Sequence, residues 1–181
     1  VHCRDTVTAV GVPMNETMPD KAFAALRENL GHVLQACALM CVLAPDGVQG
    51  DAVVRAAVQH AQADPIVVSG IAPGTLPALL ASLHDRLLPS VPRPRQAAQM
   101  QDAIEEALVR RSWPAVVVHD AHLLRNDALY YLYRLWDSFQ EHEQRLPVIL
   151  VGPEQLHAVL DRPALASLKS CVYIWHRLTD S

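Results

Sequence analysis

Three short clusters in this chain carry residue types that could do chemistry on phosphates or metals. The first follows the apolar run Leu39-Met40-Cys41-Val42-Leu43, crosses Ala44-Pro45-Asp46-Gly47-Val48-Gln49-Gly50, and enters the helical pattern Asp51-Ala52-Val53-Val54-Arg55-Ala56-Ala57-Val58. Strand, glycine turn and helix is a layout that cradles phosphates, with backbone N–H groups and the helix N-terminus turned toward the anion. The full chemistry needs G-x-x-x-x-G-K-[ST], a lysine for the β/γ-phosphates and a hydroxyl for Mg²⁺. Gly50 supplies the last glycine, but Asp51 stands in the lysine position, Ala52 in the hydroxyl position and Pro45 at the first glycine. Gly47 serves as that first glycine only with a changed loop length. An acid at the head of the helix repels a triphosphate. Gly47, Gly50, Asp51 and Ala52 are therefore expected to be a degenerate, non-binding phosphate loop, with Asp46 and Asp51 simply capping the helix.

The second cluster is His119-Asp120-Ala121-His122 at the end of Ala115-Val116-Val117-Val118. His and Asp are metal-ligand types, but neighbours on a strand point to opposite faces, so a decayed motif is favoured over a metal site. The third is Cys37 and Cys41 with His32 nearby. Cys41 falls in the first expected strand, so the spacing is not helical and buried structural cysteines are expected. No metal site is expected.

The elements that must position these groups alternate along the chain. Helical periods are expected over 20–38 (Phe23, Leu26, Leu30, Val33 and Leu34 on one face, Asp20 as N-cap), 51–62, 76–88, 95–111 and 127–141. The inward set of 95–111 is Met100, Ala103, Ile104, Ala107 and Leu108, and that of 127–141 includes Leu129, Tyr130, Leu132, Tyr133, Leu135, Trp136 and Phe139. Continuous apolar runs over 39–43, 65–69, 114–119, 147–151 and 171–175 read as strands buried on both faces. Short helical stretches are expected over 154–160 and 163–168, and Pro89–Arg95 is a proline-rich surface connection. Strands of this kind between helices mean a parallel sheet covered on both sides. Nothing repeats internally.

Ala115-Val116-Val117-Val118-His119-Asp120-Ala121-His122-Leu123-Leu124 resembles the Walker B segment of AAA+ ATPases, an apolar strand followed by Asp-Glu-Ala-His/Gln and two apolar residues. The resemblance implies that His119 replaces the Mg²⁺-supporting Asp and Asp120 replaces the water-orienting Glu. Downstream, Leu146-Pro147-Val148-Ile149-Leu150-Val151-Gly152-Pro153-Glu154-Gln155-Leu156 and Leu160-Asp161-Arg162-Pro163-Ala164-Leu165 are similar to the AAA+ branch of the TniB-type transposition and ExeA-type secretion ATPases. Pro153 stands where that branch often has a polar residue sensing the γ-phosphate. The implied fold is an α/β, three-layer P-loop NTPase-like sandwich with a five-stranded, mainly parallel sheet: an AAA+ core without the helical lid domain. The implied organisation is an irregular N-terminal arm over 1–19 and one AAA+-like domain over 20–181.

Losing the lysine, the Mg²⁺ hydroxyl and the metal carboxylate together implies a catalytically inactive pseudo-ATPase, a scaffold or regulatory subunit working through protein–protein contact. The alternative is a nucleotide-binding or DNA-associated AAA+ ATPase module of the transposition-regulator type. The expected cofactor is none, with weak ATP/Mg²⁺ binding as the alternative; Arg55 is a poor substitute cation. The expected partner is a protein, for example an active AAA+ subunit. Arg162 and Arg177 are the candidates for inter-subunit contacts, and Tyr130, Tyr133, Trp136 and Phe139 for core or, where exposed, a binding face. A formal charge of −4 gives no basic footprint for nucleic acid, although Arg93, Arg95, Arg110 and Arg111 could form a local patch. With 181 residues, 51% hydrophobic, the chain has room for a core. Scattered cysteines and no membrane-length apolar run lead us to expect a cytoplasmic protein. A start at Val1 suggests a fragment or processed chain, and more protein is expected to follow residue 181.

Overall fold

Apolar runs and helical periods fold here into a single sheet with helices on both faces. The computed structural model describes residues 18–45, 47–70, 73–141 and 145–178; positions 1–17 of the arm expected over 1–19, and Asp46, lie outside them. The elements in order are α1 (Met18–Ala36), β1 (Leu39–Leu43), α2 (Gly47–His60), β2 (Asp64–Ser69), α3 (Leu76–Leu87), α4 (Ala97–Val109) and β3 (Pro114–His119). A 3₁₀ turn (Ala121–Leu123), α5 (Asn126–Glu141), β4 (Val148–Gly152), α6 (Gln155–Leu160), a second 3₁₀ turn (Pro163–Leu165), α7 (Ala166–Cys171) and β5 (Val172–Arg177) follow.

The sheet order is β2-β3-β4-β1-β5, and every strand pair is parallel. β1 pairs with β4 from Leu39↔Val148 to Leu43↔Gly152, and β2 pairs with β3 from Asp64↔Pro114 to Ser69↔His119. Consecutive β1 and β2 are thus separated by β3 and β4. α2 must leave the C-terminal end of β1 and cross toward β2, and this brings its first turns past the end of β3.

Strand alternation divides the core into two layers. Met40, Val42, Ala115, Val117, Ile149 and Val151 pack with Leu26, Leu30 and Val33 of α1 and Val54, Ala57 and Val58 of α2. Leu39, Cys41, Val116, Val118, Val148 and Leu150 pack on the other face with α3, α4 and α5. The three-layer α/β sandwich expected from sequence is the observed fold.

Three boundaries and one helix phase depart from expectation. α1 begins at Met18, so Asp20 lies inside it and not at its cap. β5 runs on to Arg177. α2 begins at Gly47 and not at Asp51, so the connection after β1 is only residues 44–46. On α5 Leu129, Leu132, Leu135 and Phe139 are buried as expected, but Tyr131 is buried with them while Tyr130 is 43% exposed. Tyr130, Tyr133 and Trp136 instead stack along the helix margin, with centroids 5.9 and 6.4 Å apart. The Trp136 indole N–H and the Gln140 amide both donate to the Cys37 carbonyl, tying α5 to the end of α1.

Candidate functional site

Alternation along β3 decides what the head of α2 meets. Ala115 and Val117 face the α1–α2 layer, so His119, two residues further on, faces it too. Its ring is only 5% exposed. Asp51, on the second turn of α2, reaches it with Oδ1 2.5 Å from His119 Nδ1. Two residues that read in sequence as separate losses are therefore in direct contact. Both belong to the segments that the sequence singled out, Asp51 to the stretch after β1 and His119 to the end of β3.

The electrostatics follow from burial. Desolvation pulls His119 below the ordinary imidazole range, against the opposing pull of the Asp51 carboxylate. Desolvation also pushes the Asp51 carboxyl up, against His119. Near neutral pH the pair is then a neutral imidazole held against a carboxylate. Both ring nitrogens, Nδ1 and Nε2, are buried without an aligned hydrogen-bond partner.

Gly50, one of the glycines that suggested a phosphate cradle, serves close packing. Gly50 lies within α2, and a Cβ built there would stand 2.5 Å from Ala44 Cβ. The helix presses directly on the chain leaving β1, and no arch of loop remains between Gly47 and Gly50. Gly50→Ala is expected to destabilise the fold by about 1–3 kcal/mol, because neither Cβ can swing away. In an unobstructed helix the same change stabilises by roughly 0.5–1 kcal/mol. Urea denaturation separates the two signs; a neutral result would mean that α2 can lift off Ala44.

Asp51, the fifth residue of α2, is not a cap, which corrects that expectation. Ala52 is exposed on the same helix. Asp120 leaves the strand in a left-handed conformation (φ 51°, ψ 39°) and opens the 3₁₀ turn. That turn is clamped by the β2–α3 connection: the Gly70 N–H donates to the His119 carbonyl at 2.7 Å. A Cβ at Gly70 would stand 2.3 Å from the Asp120 carbonyl oxygen. His122 is placed apart, its buried Nδ1 beside Gly152.

The remaining candidates are spread over the molecule. Cys37 and Cys41 are buried free thiols, and burial pushes both thiol pKa values up. Among the described residues no three His, Cys, Asp or Glu side chains are placed to hold a metal ion. Arg93 pairs with Asp85, Arg111 with Asp64, and Arg177 with Glu154. Arg162 bonds the Asn126 side chain. No helix among the described residues is long and apolar enough to cross a membrane.

Residues 35–160 match the AAA domain family. The chain belongs to that family. Among solved structures this AAA domain is similar to Cdc6p from Pyrobaculum aerophilum, with a TM-score of 0.71 and 18% identity over 95% of this chain and 48% of that one. It is also similar to the Aeropyrum pernix ORC1 protein, solved in complex with DNA (TM-score 0.66, 14% identity, 91% of this chain and 48% of that one). A chain of Drosophila ORC bound to DNA gives a TM-score of 0.60 at 16% identity, over 88% of this chain and 91% of that one. At these identities the likeness is one of fold. The chain spans about half the length of the two archaeal proteins. A search of curated proteins gives no match.

The family implies a nucleoside triphosphate with Mg²⁺, and the residues present do not fit that group. At the head of α2 stand the Asp51 carboxylate, against the buried His119 imidazole, the Ala52 methyl and Gly50 closed against Ala44, none of them a cation or a hydroxyl. Sequence reasoning reached each altered residue but missed their pairing. It also passed over Ser82 and Arg86 on α3, which lie near the pair and carry no motif signal.

Proposed function

We propose that this AAA domain is a pseudo-ATPase, a scaffold or regulatory subunit that works by contact with another protein. The observation that carries the reading is the Asp51–His119 pair, which joins α2 to β3 with protein groups where an active site would join them through phosphate and metal. A fold held together in this way keeps its AAA shape without a ligand and so remains able to occupy a place beside an active AAA+ subunit. Kinship with the TniB/ExeA-type branch is part of the proposal and rests on the segments over 115–124 and 146–165.

The test is calorimetry with ATP and ADP in Mg²⁺, alongside a thermal-shift series. A ligand held at one hundred times its Kd adds about 2.7 kcal/mol of stability. No heat and no shift are expected at millimolar nucleotide. Saturable binding would overturn the reading.

A second reading, a DNA-associated module, draws on the relatives solved on DNA. It calls for salt-dependent binding of duplex DNA. The pairing of Arg93 and Arg111 with acids leaves less free positive charge for that role.

A further inference from the structure

Beside the Asp51–His119 pair, a cleft of 440 Å³ opens at the outer strand of the sheet. Val67 and Val68 both line it. Successive strand residues face opposite layers, so the cleft wraps around the free edge of β2. α2 supplies Asp51 and Arg55 from one layer, and α3 supplies Ser82 and Arg86 from the other. His119 and Asp120 close it at the end of β3.

Three observations point to a ligand. Arg55 and Arg86 form no ion pair with a described residue, in contrast with Arg93, Arg111 and Arg177. His119, 5% exposed, lines the cleft with neither ring nitrogen in an aligned hydrogen bond. The rest of the polar lining is carboxylate and hydroxyl, and its only aromatic ring is the imidazole.

We propose that this cleft binds a small phosphate monoester whose organic part carries hydroxyl groups, a sugar phosphate in chemical class. The guanidinium fork matches phosphate oxygens, and one arginine on each side of the strand edge brackets a dianion. Asp51 and Asp120 accept from hydroxyls, and a ligand O–H donates to His119 Nε2, which removes a buried unpaired lone pair. The same carboxylates repel a bare polyanion, and a nucleobase finds no ring on which to stack. The site goes beyond the scaffold reading and does not depend on it.

NMR titrations that follow the His119 ring C–H signals test this, with ribose 5-phosphate, ribose and inorganic phosphate as separate probes. Ribose 5-phosphate is expected to saturate. Ribose is expected to stay unsaturated at about 10 mM, and inorganic phosphate to bind about tenfold more weakly or worse. Arg55→Ala and Arg86→Ala, both at exposed positions, should each weaken the ester about tenfold, with Arg86→Lys intermediate. No saturable shift with the ester, or no effect of Arg86→Ala, overturns the site. Inorganic phosphate binding as tightly as the ester overturns the assignment of a hydroxylated ligand. Mg²⁺-ATP forms a separate arm: movement of the Gly50 and Ala52 amide signals that persists in Arg86→Ala would sink the pseudo-ATPase reading and leave this one standing.

Discussion

Asp51→Lys combined with Ala52→Thr, which restores the Walker A residue types on paper, is expected to lower stability by about 2–4 kcal/mol and to confer no nucleotide binding. The stability loss has two sources. Removing the carboxylate takes from His119, a residue 5% exposed, the polar group that stands 2.5 Å from its Nδ1. An unsatisfied buried donor costs about 1–3 kcal/mol. The new ammonium would then face a buried imidazole with the Arg55 cation already nearby. Absence of binding follows from the backbone. Residues 47–50 are already wound into α2, and Gly50 is seated on Ala44, so a lysine at 51 would extend from a helix and not from an arch around phosphates.

Urea denaturation of Asp51→Ala, His119→Ala and the double variant isolates the pair itself. A coupling of about 1–2 kcal/mol is expected for a close contact between a carboxylate and a buried imidazole. Calorimetry on the Lys/Thr variant supplies the second readout. If that variant binds Mg²⁺-ATP with a defined stoichiometry, α2 can unwind at its head, and the loop is a dormant phosphate site rather than a replaced one.

The limits of the sequence reading lie at this same place. The three inner strands were legible because each is a continuous apolar run buried on both faces, as in Leu39–Leu43 and Val148–Gly152. The edge strands β2 and β5, expected to be like them, are only partly buried. The layer of helices followed from spacing such as Leu26, Leu30 and Val33, all fully buried. Gly47 and Gly50 misled because glycine signals a turn, and only a neighbouring chain can reveal that a missing Cβ lets a helix approach it. Asp51 and His119 belong to different elements, brought together by a strand order that separates β1 from β2. No periodicity carries that contact, so two coupled residues looked like two independent losses. On α5 the error was one of phase: Tyr130 and Tyr131 are neighbours, both aromatic, and only packing against the α4 side of the core selects Tyr131.

Acid should weaken this fold from just below neutrality, well above the range where carboxylates alone respond. Two buried histidines set this. His119 and His176 both have pKa values lowered from the ordinary 6.5 by burial. The Asn29 amide nitrogen lies 2.8 Å from His176 Nδ1 and donates to it, a bond that protonation of that nitrogen would break. Because the unfolded chain binds these protons more readily, stability is full above 6.5 and falls as pH drops from there toward the lower folded values. Each group contributes a slope of at most about 1.4 kcal/mol per pH unit. Asp51 works in the opposite sense and lower down: its raised pKa means that the folded state gains protons first, so part of the loss is recovered as pH approaches 3.8. A series of urea midpoints from about pH 8 to 5 should therefore slope downward through the histidine range. His176→Gln keeps a group able to accept from Asn29 and cannot charge, so it should flatten part of that slope while leaving the midpoint at pH 8 nearly unchanged. An equally steep slope in that variant would assign the acid response to other groups. An unchanged slope in His119→Gln as well would show that both rings accept a proton in place, and with that the neutral Asp51–His119 bond, on which the reading of the site depends, would fall.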